Sequence, residues 1–127
     1  MIFREKGSSW EVLLIRRGNQ PFEGMWALPG GFMEMEETLE RTAERELEEE
    51  TGLRGIPLRQ FRTYSGLRRD PRQRTIGVVF YGFADTAASA KASDDAREAA
   101  WFTLDGLPLL AFDHQLILAE ARAELLP

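Results

Sequence analysis

The chain has 127 residues, of which 43% are hydrophobic, so it can bury one real core and has the size of one domain, taken as residues 1–127. Its net charge of −5 argues against gripping nucleic acid through phosphates, and its lack of cysteine excludes disulfides, thiolate metal sites and a cysteine nucleophile. No signal peptide is visible and no apolar run approaches a membrane span, so a cytoplasmic domain with no membrane partner is expected.

Before EKGSS there is room for only a very short first strand, either trimmed or continued upstream. Residues 11–17 (EVLLIRR) form an apolar run closed by charges and followed by turn formers, the pattern of a strand and then a loop. Residues 26–28 are extended, because Pro29 biases its predecessor away from helix, and Gly30-Gly31 permits a sharp turn. A helix is predicted from Glu37 or Thr38 to a stop at Gly52. Residues 56–64 are moderately strand-like, and residues 74–84 (RTIGVVFYGFA) carry the strongest strand signal. Between them lies a basic loop, residues 65–74, centred on Pro71. Residues 86–96 are small and polar and predict a mobile loop, and residues 98–102 a last short strand. Asp113 is the expected N-cap of a final helix. Strands before, between and after two helices predict an α/β (α+β) fold with a mixed β-sheet sandwiched between α-helices.

The first helix raises a question of charge. Between Glu34 and Glu50 there are nine glutamates and two arginines, a local balance of −7. Advancing about 100° per residue from Leu39 makes Leu39, Ala43 and Leu47 an inward stripe, with Glu37, Arg41, Glu44 and Glu48 on the solvated side. Glu46, Glu49 and Glu50 then share one edge, and Glu46 and Glu50 point towards the body of the protein. Like charges at this spacing are unfavourable, and burying ionised carboxylates more so. Arg45 reaches Glu49 but cannot serve all three. A hard divalent cation can, because clustered carboxylate oxygens are ligands for Mg²⁺ or Mn²⁺. The bland alternative is a solvated acidic face.

The wider pattern decides between them. Gly31, Glu37 after five residues, then Arg45-Glu46-Leu47-Glu48-Glu49-Glu50-Thr51-Gly52-Leu53 after seven more resembles the Nudix box over residues 31–53, with every defined position met. Leu14 to Arg17, Trp26 to Gly31 and Glu98 to Phe102 are similar to family segments on either side. The resemblance implies the Nudix fold and water attack on a diphosphate joined to another moiety. It implies Glu46, Glu49 and Glu50 as metal ligands and catalytic carboxylates, with Gly31 counted in the metal site and Mg²⁺ or Mn²⁺ as cofactor. Arg45 would orient the cluster, and Glu37 would support the helix start or an outer-shell water. Glu98 is a candidate additional base. His114 is expected to pack or hydrogen-bond rather than catalyse, and Trp26, Trp101 and Phe112 to form core or pocket wall.

Residues 69–74 (RDPRQR) and 109–118 (LLAFDHQLIL) resemble the ADP-ribose pyrophosphatase branch and its related ligand-sensing domains, although Gln73 stands where glycine is common. That branch implies ADP-ribose as substrate, with nucleoside triphosphates as the alternative. The substrate-binding residues expected are Arg72, Arg74, Arg16 and Arg17. A non-catalytic sensor is the rival from another class. The intact box, and an end at Pro127 that is expected to leave no room for a DNA-binding domain, speak against it. A homodimer is expected, partly because a short first strand would expose a sheet edge.

Overall fold

The computed structural model describes residues 1–88 and 96–127. Its elements are β1 (Ile2–Lys6), β2 (Ser9–Arg17), β3 (Trp26–Ala27), α1 (Leu39–Thr51), β4 (Arg59–Tyr64), β5 (Gly77–Phe83), β6 (Ala96–Thr103) and α2 (His114–Leu125). The strands make one six-stranded sheet in the order β3-β2-β1-β5-β4, with β6 paired to β2. The β1–β5 pairing is parallel and the others antiparallel, so the sheet is mixed as expected. The predicted mobile loop at residues 86–96 falls largely on residues 89–95, outside the described residues.

Alternation along the strands covers both faces. Phe3, Val12 and Leu14 pack with Ile117, Leu118 and Ala121 of α2. Ile2 and Leu13 point the other way and pack with Leu47 of α1. Each such side chain, fully buried, contributes roughly 1.5–3 kcal/mol. The sheet is therefore sandwiched between its two helices. No helix among the described residues is long and apolar enough to cross a membrane.

The first strand corrects the sequence reading. It continues through Glu5 and Lys6, which pair with Trp10 and Ser9 across the hairpin. Its other edge pairs with β5, through Ile2–Gly82 and Phe3–Phe83. Paired on both sides, β1 offers no free edge to a second copy, so that reason for a dimer falls away. Conversely, β4 starts only at Arg59. Ile56 and Leu58 instead pack in the cluster beneath α1.

Candidate active site

The helix α1 starts where its cap chemistry dictates. Thr38 is extended, and its hydroxyl accepts the Arg41 amide at 3.1 Å. Gly52 closes the helix in the left-handed region at φ 78°, donating to the Glu48 carbonyl at 2.8 Å. Leu47 is buried and Leu39 and Ala43 half-buried, as the inward stripe requires, while Glu44 and Glu48 are exposed.

Glu37 is not on the solvated face. It precedes the helix, so the wheel does not apply to it, and its carboxylate turns back to Arg45 (Nε–Oε2 2.5 Å) and Thr42 (3.0 Å). The Arg45 guanidinium, helped by the Glu34 amide, holds the Glu37 carboxyl down at about 2. The same contact, with a second from Glu46, pushes Arg45 above its ordinary range. Arg45 also bonds Glu46 at 2.7 Å, Glu49 at 3.1 Å and the Phe32 carbonyl at 3.1 Å. It thus ties the box helix to the glycine turn before it.

Two backbone features receive the remaining carboxylates. The Gly30 amide donates to Glu50 at 2.7 Å, and Glu50 is buried. At Gly31 a Cβ would lie 2.5 Å from the Glu46 carboxylate, so the glycine is required by close approach. Glu49 is the most open of the three, its side chain 41% exposed. Among the described residues no three acidic or imidazole side chains are gathered as a metal-holding group. Arg45 bonds Glu46 and Glu49, and the Gly30 amide bonds Glu50. The donor set nevertheless fits a hard divalent cation, being three carboxylates within little more than one helical turn, with one arginine against them.

Glu46 and Glu50 line a cavity of about 570 Å³ that also borders Arg17, Arg69, Arg72, Phe112 and His114. That volume is within the range of small-ligand sites. Arg69, Asp70 and Arg72 of the basic loop line the cavity, while most of the loop is exposed. Arg69, its side chain 10% exposed, donates twice to Asp113, each bond 2.9 Å. Asp113 therefore stands at the N-cap position without capping α2 through its side chain. Buried Asp70 accepts Arg72 through Nε (3.1 Å), Nη2 (2.8 Å) and the backbone amide (2.9 Å). The Arg72 side chain holds the Asp70 carboxyl below its usual range and is itself pushed up in return. The Arg72 guanidinium lies 5.3 Å from the Phe32 ring centroid and 5.9 Å from that of Phe112.

Arg17 differs. Its Nε donates to the Pro21 carbonyl at 2.7 Å, and its guanidinium lies over Phe112 at 4.9 Å. Burial first, and then the neighbouring Arg72 charge, lower its pKa. Among the described residues, it is the cavity arginine held by a carbonyl rather than a carboxylate. Its neighbour Arg16 points to the other face of β2, bonding the Gly24 carbonyl at 2.9 Å and Glu98 at 3.1 Å. Neither Arg16 nor Glu98, the candidate additional base, lines the cavity, and Glu98 is exposed on β6. Arg74 is also exposed and outside the lining, bonding the Gly66 carbonyl at 3.1 Å.

His114 behaves as expected of a packing histidine: Nδ1 accepts the Leu28 amide at 3.0 Å, and burial lowers its pKa to about 4. Trp26 packs edge-to-face on Phe102, and Phe112 on Phe22. Asp70 and Phe32 escaped the sequence reading. Asp70 had a signal, since an aspartate two residues before the backbone amide that donates to it, with proline between, makes a side-chain turn.

The NUDIX domain family model matches residues 1–124. The chain is 46% identical over 110 residues to an ADP-ribose pyrophosphatase of Methanocaldococcus jannaschii, covering 87% of this chain and 64% of that protein. It is 35% identical over 128 residues to the ADPR responsive transcriptional repressor NtrR of Acinetobacter baylyi, covering 98% of this chain and 51% of that protein. It thus spans between about half and two thirds of the length of these two relatives. The crystallised NUDIX domain of Shewanella oneidensis NrtR, complexed with ADP ribose, superposes with a TM-score of 0.88 at 30% identity, covering 98% of this chain and 83% of that one. A glutamate helix anchored by one arginine to a double-glycine turn, on a mixed sheet between two helices, together with a family match across nearly the whole chain, makes this protein a member of the Nudix family.

Proposed function

We propose that this domain hydrolyses a nucleoside diphosphate joined to another moiety, ADP-ribose first, to AMP and ribose 5-phosphate. The observation that carries this reading is one cavity lined both by the box carboxylates Glu46 and Glu50 and by Arg17, Arg69 and Arg72. A diphosphate needs both, because its charge repels an incoming nucleophile and must be neutralised from two sides. Glu46, Glu49 and Glu50 are the residues that would hold Mg²⁺ or Mn²⁺. When bound, the cation supplies charge neutralisation at the diphosphate and acidifies water at neutral pH.

The chain's own residues do the rest. Arg45 sets the directions of Glu46 and Glu49, and the Gly30 amide that of Glu50. Arg17 is the guanidinium best placed to take a phosphate oxygen, since its present partner is a carbonyl. Arg72, clamped by Asp70 and flanked by Phe32 and Phe112, presents a fixed positive wall. A carboxylate of the cluster takes the proton as the water oxygen bonds to one phosphorus. The bridging P–O bond breaks, and its electron pair leaves with the other phosphate.

The likeness to an ADPR responsive repressor favours a second reading, a module that binds ADP-ribose without cleaving it. Incubation with ADP-ribose and Mg²⁺, with products identified by mass, separates the two. AMP with ribose 5-phosphate supports hydrolysis, whereas saturable binding without turnover supports the sensor. Preference for a nucleoside triphosphate with release of pyrophosphate would overturn the choice of substrate and leave the family untouched.

A further inference from the structure

Segment 26–31 carries the glycine turn that receives Glu46 and Glu50, and the start of α2 holds that segment in place. Trp26 forms a parallel bridge with Leu110, and its carbonyl accepts the Ala111 amide at 2.9 Å. The ladder cannot continue by backbone, because the chain turns at Phe112, whose φ is 55°, and enters α2 at His114. Two residues beyond Trp26, the amide of buried Leu28 has lost its strand partner, and a buried amide left unpaired is costly. His114 Nδ1 takes that place at 3.0 Å. Accepting there requires a neutral ring with its proton on Nε2. Burial, which lowers the His114 pKa to about 4, keeps it so at neutral pH.

From Leu28 the connection to the carboxylates is short and stiff. Pro29 has a ring-fixed φ. The next amide, Gly30, donates to Glu50 at 2.7 Å, and Gly31 lies against the Glu46 carboxylate. We infer that His114 is a positioning residue for the box: by completing the 26–28 ladder it fixes the glycine turn and, through it, Glu50 and Glu46. The inference rests on the hydrolysis reading for what those carboxylates do, and on geometry alone for how they are held.

The test uses the full chain in three forms. His114→Phe keeps a ring and removes the acceptor, while His114→Asn restores an oxygen near the Nδ1 position. In the wild type a ¹⁵N–¹⁵N coupling across the Leu28–His114 hydrogen bond is expected by NMR. In His114→Phe the Gly30 amide should exchange at least about tenfold faster. The kcat for ADP-ribose should fall at least about tenfold with KM within about threefold, and His114→Asn should recover most of both losses. A histidine that only fills space would lower stability without that split and without the Asn rescue. If the wild type releases no AMP, the hydrolysis reading fails, yet the coupling and the Gly30 exchange still judge the role of His114. Absence of the coupling in the wild type overturns the inference. So does a folded His114→Phe protein with unchanged Gly30 exchange and kcat. If His114→Phe does not fold, the wild-type coupling and Gly30 protection in His114→Asn decide.

Discussion

Arg69 and Asp113, 44 residues apart in sequence, meet through two parallel hydrogen bonds of 2.9 Å, and so the basic loop is fastened to the start of α2. The side chains are 10% and 19% exposed, and removal of either leaves the other charge poorly solvated. Arg69→Ala should destabilise the fold by about 3 kcal/mol, a fall of roughly 10 °C in Tm for a domain of this size. Asp113→Ala should cost nearly as much, and the double variant little more than either alone. Thermal melts within 2 °C of wild type would mean that the pair is incidental.

The pH dependence of stability should carry the signature of His114. Burial lowers its folded pKa to about 4, with Arg69 and Arg17 adding to the effect and Asp113 opposing it. The unfolded chain takes up the proton near pH 6.5. Between those values the unfolded state binds a proton that the folded state refuses, so stability is complete above about 6.5 and declines as the pH falls. From pH 7 to pH 5 the loss from this group is about 2 kcal/mol. Urea melts at the two pH values should show it in the wild type and not in His114→Asn. An equal decline in both proteins would assign the loss to other groups.

The box was legible because it is a matter of spacing, and spacing on a helix fixes which residues share an edge. Its surroundings were less so. The wheel puts Glu37 on the solvated face by continuing the helix two residues too far, whereas Thr38 caps the helix and frees Glu37 to fold back onto Arg45. The turn-like EKGSS leaves only Met1 to Arg4 for a first strand, yet β1 runs on through Lys6. Pairing on both sides and the Arg4–Glu11 bond of 2.7 Å are tertiary gains that local propensity does not register. The sequence singles out Arg72 and Arg74 as substrate-binding among four arginines within residues 68–74. Two of them, Arg69 and Arg72, are committed to Asp113 and Asp70, the first by a contact across 44 residues that no local pattern shows, while Arg74 stays at the surface.

Gly31 offers a way to disturb one carboxylate without removing it. A Cβ there would lie 2.5 Å from the Glu46 carboxylate, which must then swing away. Gly31→Ala should fold, because the position is exposed and the strained neighbour is a side-chain end. In the wild type a saturating divalent cation should raise stability by mass action, about 2.7 kcal/mol at a hundredfold excess over Kd. The rise in Tm with MnCl₂ should be much smaller in Gly31→Ala and in Glu50→Gln. Equal shifts in all three proteins would place any bound ion away from the box.

Substrate affinity should divide the arginines by their placement. Arg17 lines the cavity and is held by the Pro21 carbonyl, whereas Arg74 lies outside the lining. A charge-assisted bond from Arg17 to a phosphate oxygen, at about 1.5–3 kcal/mol, implies that Arg17→Ala raises KM for ADP-ribose roughly ten- to hundredfold with a smaller change in kcat. Arg74→Ala should leave both constants near wild type. Asp70→Asn should fall between, since Arg72 keeps its flanking rings but loses the carboxylate that aligns it. Steady-state kinetics on the four proteins at fixed Mg²⁺ settle the order. A large KM effect at Arg74 with none at Arg17 would move the phosphate site out of the cavity and onto the loop's outer surface.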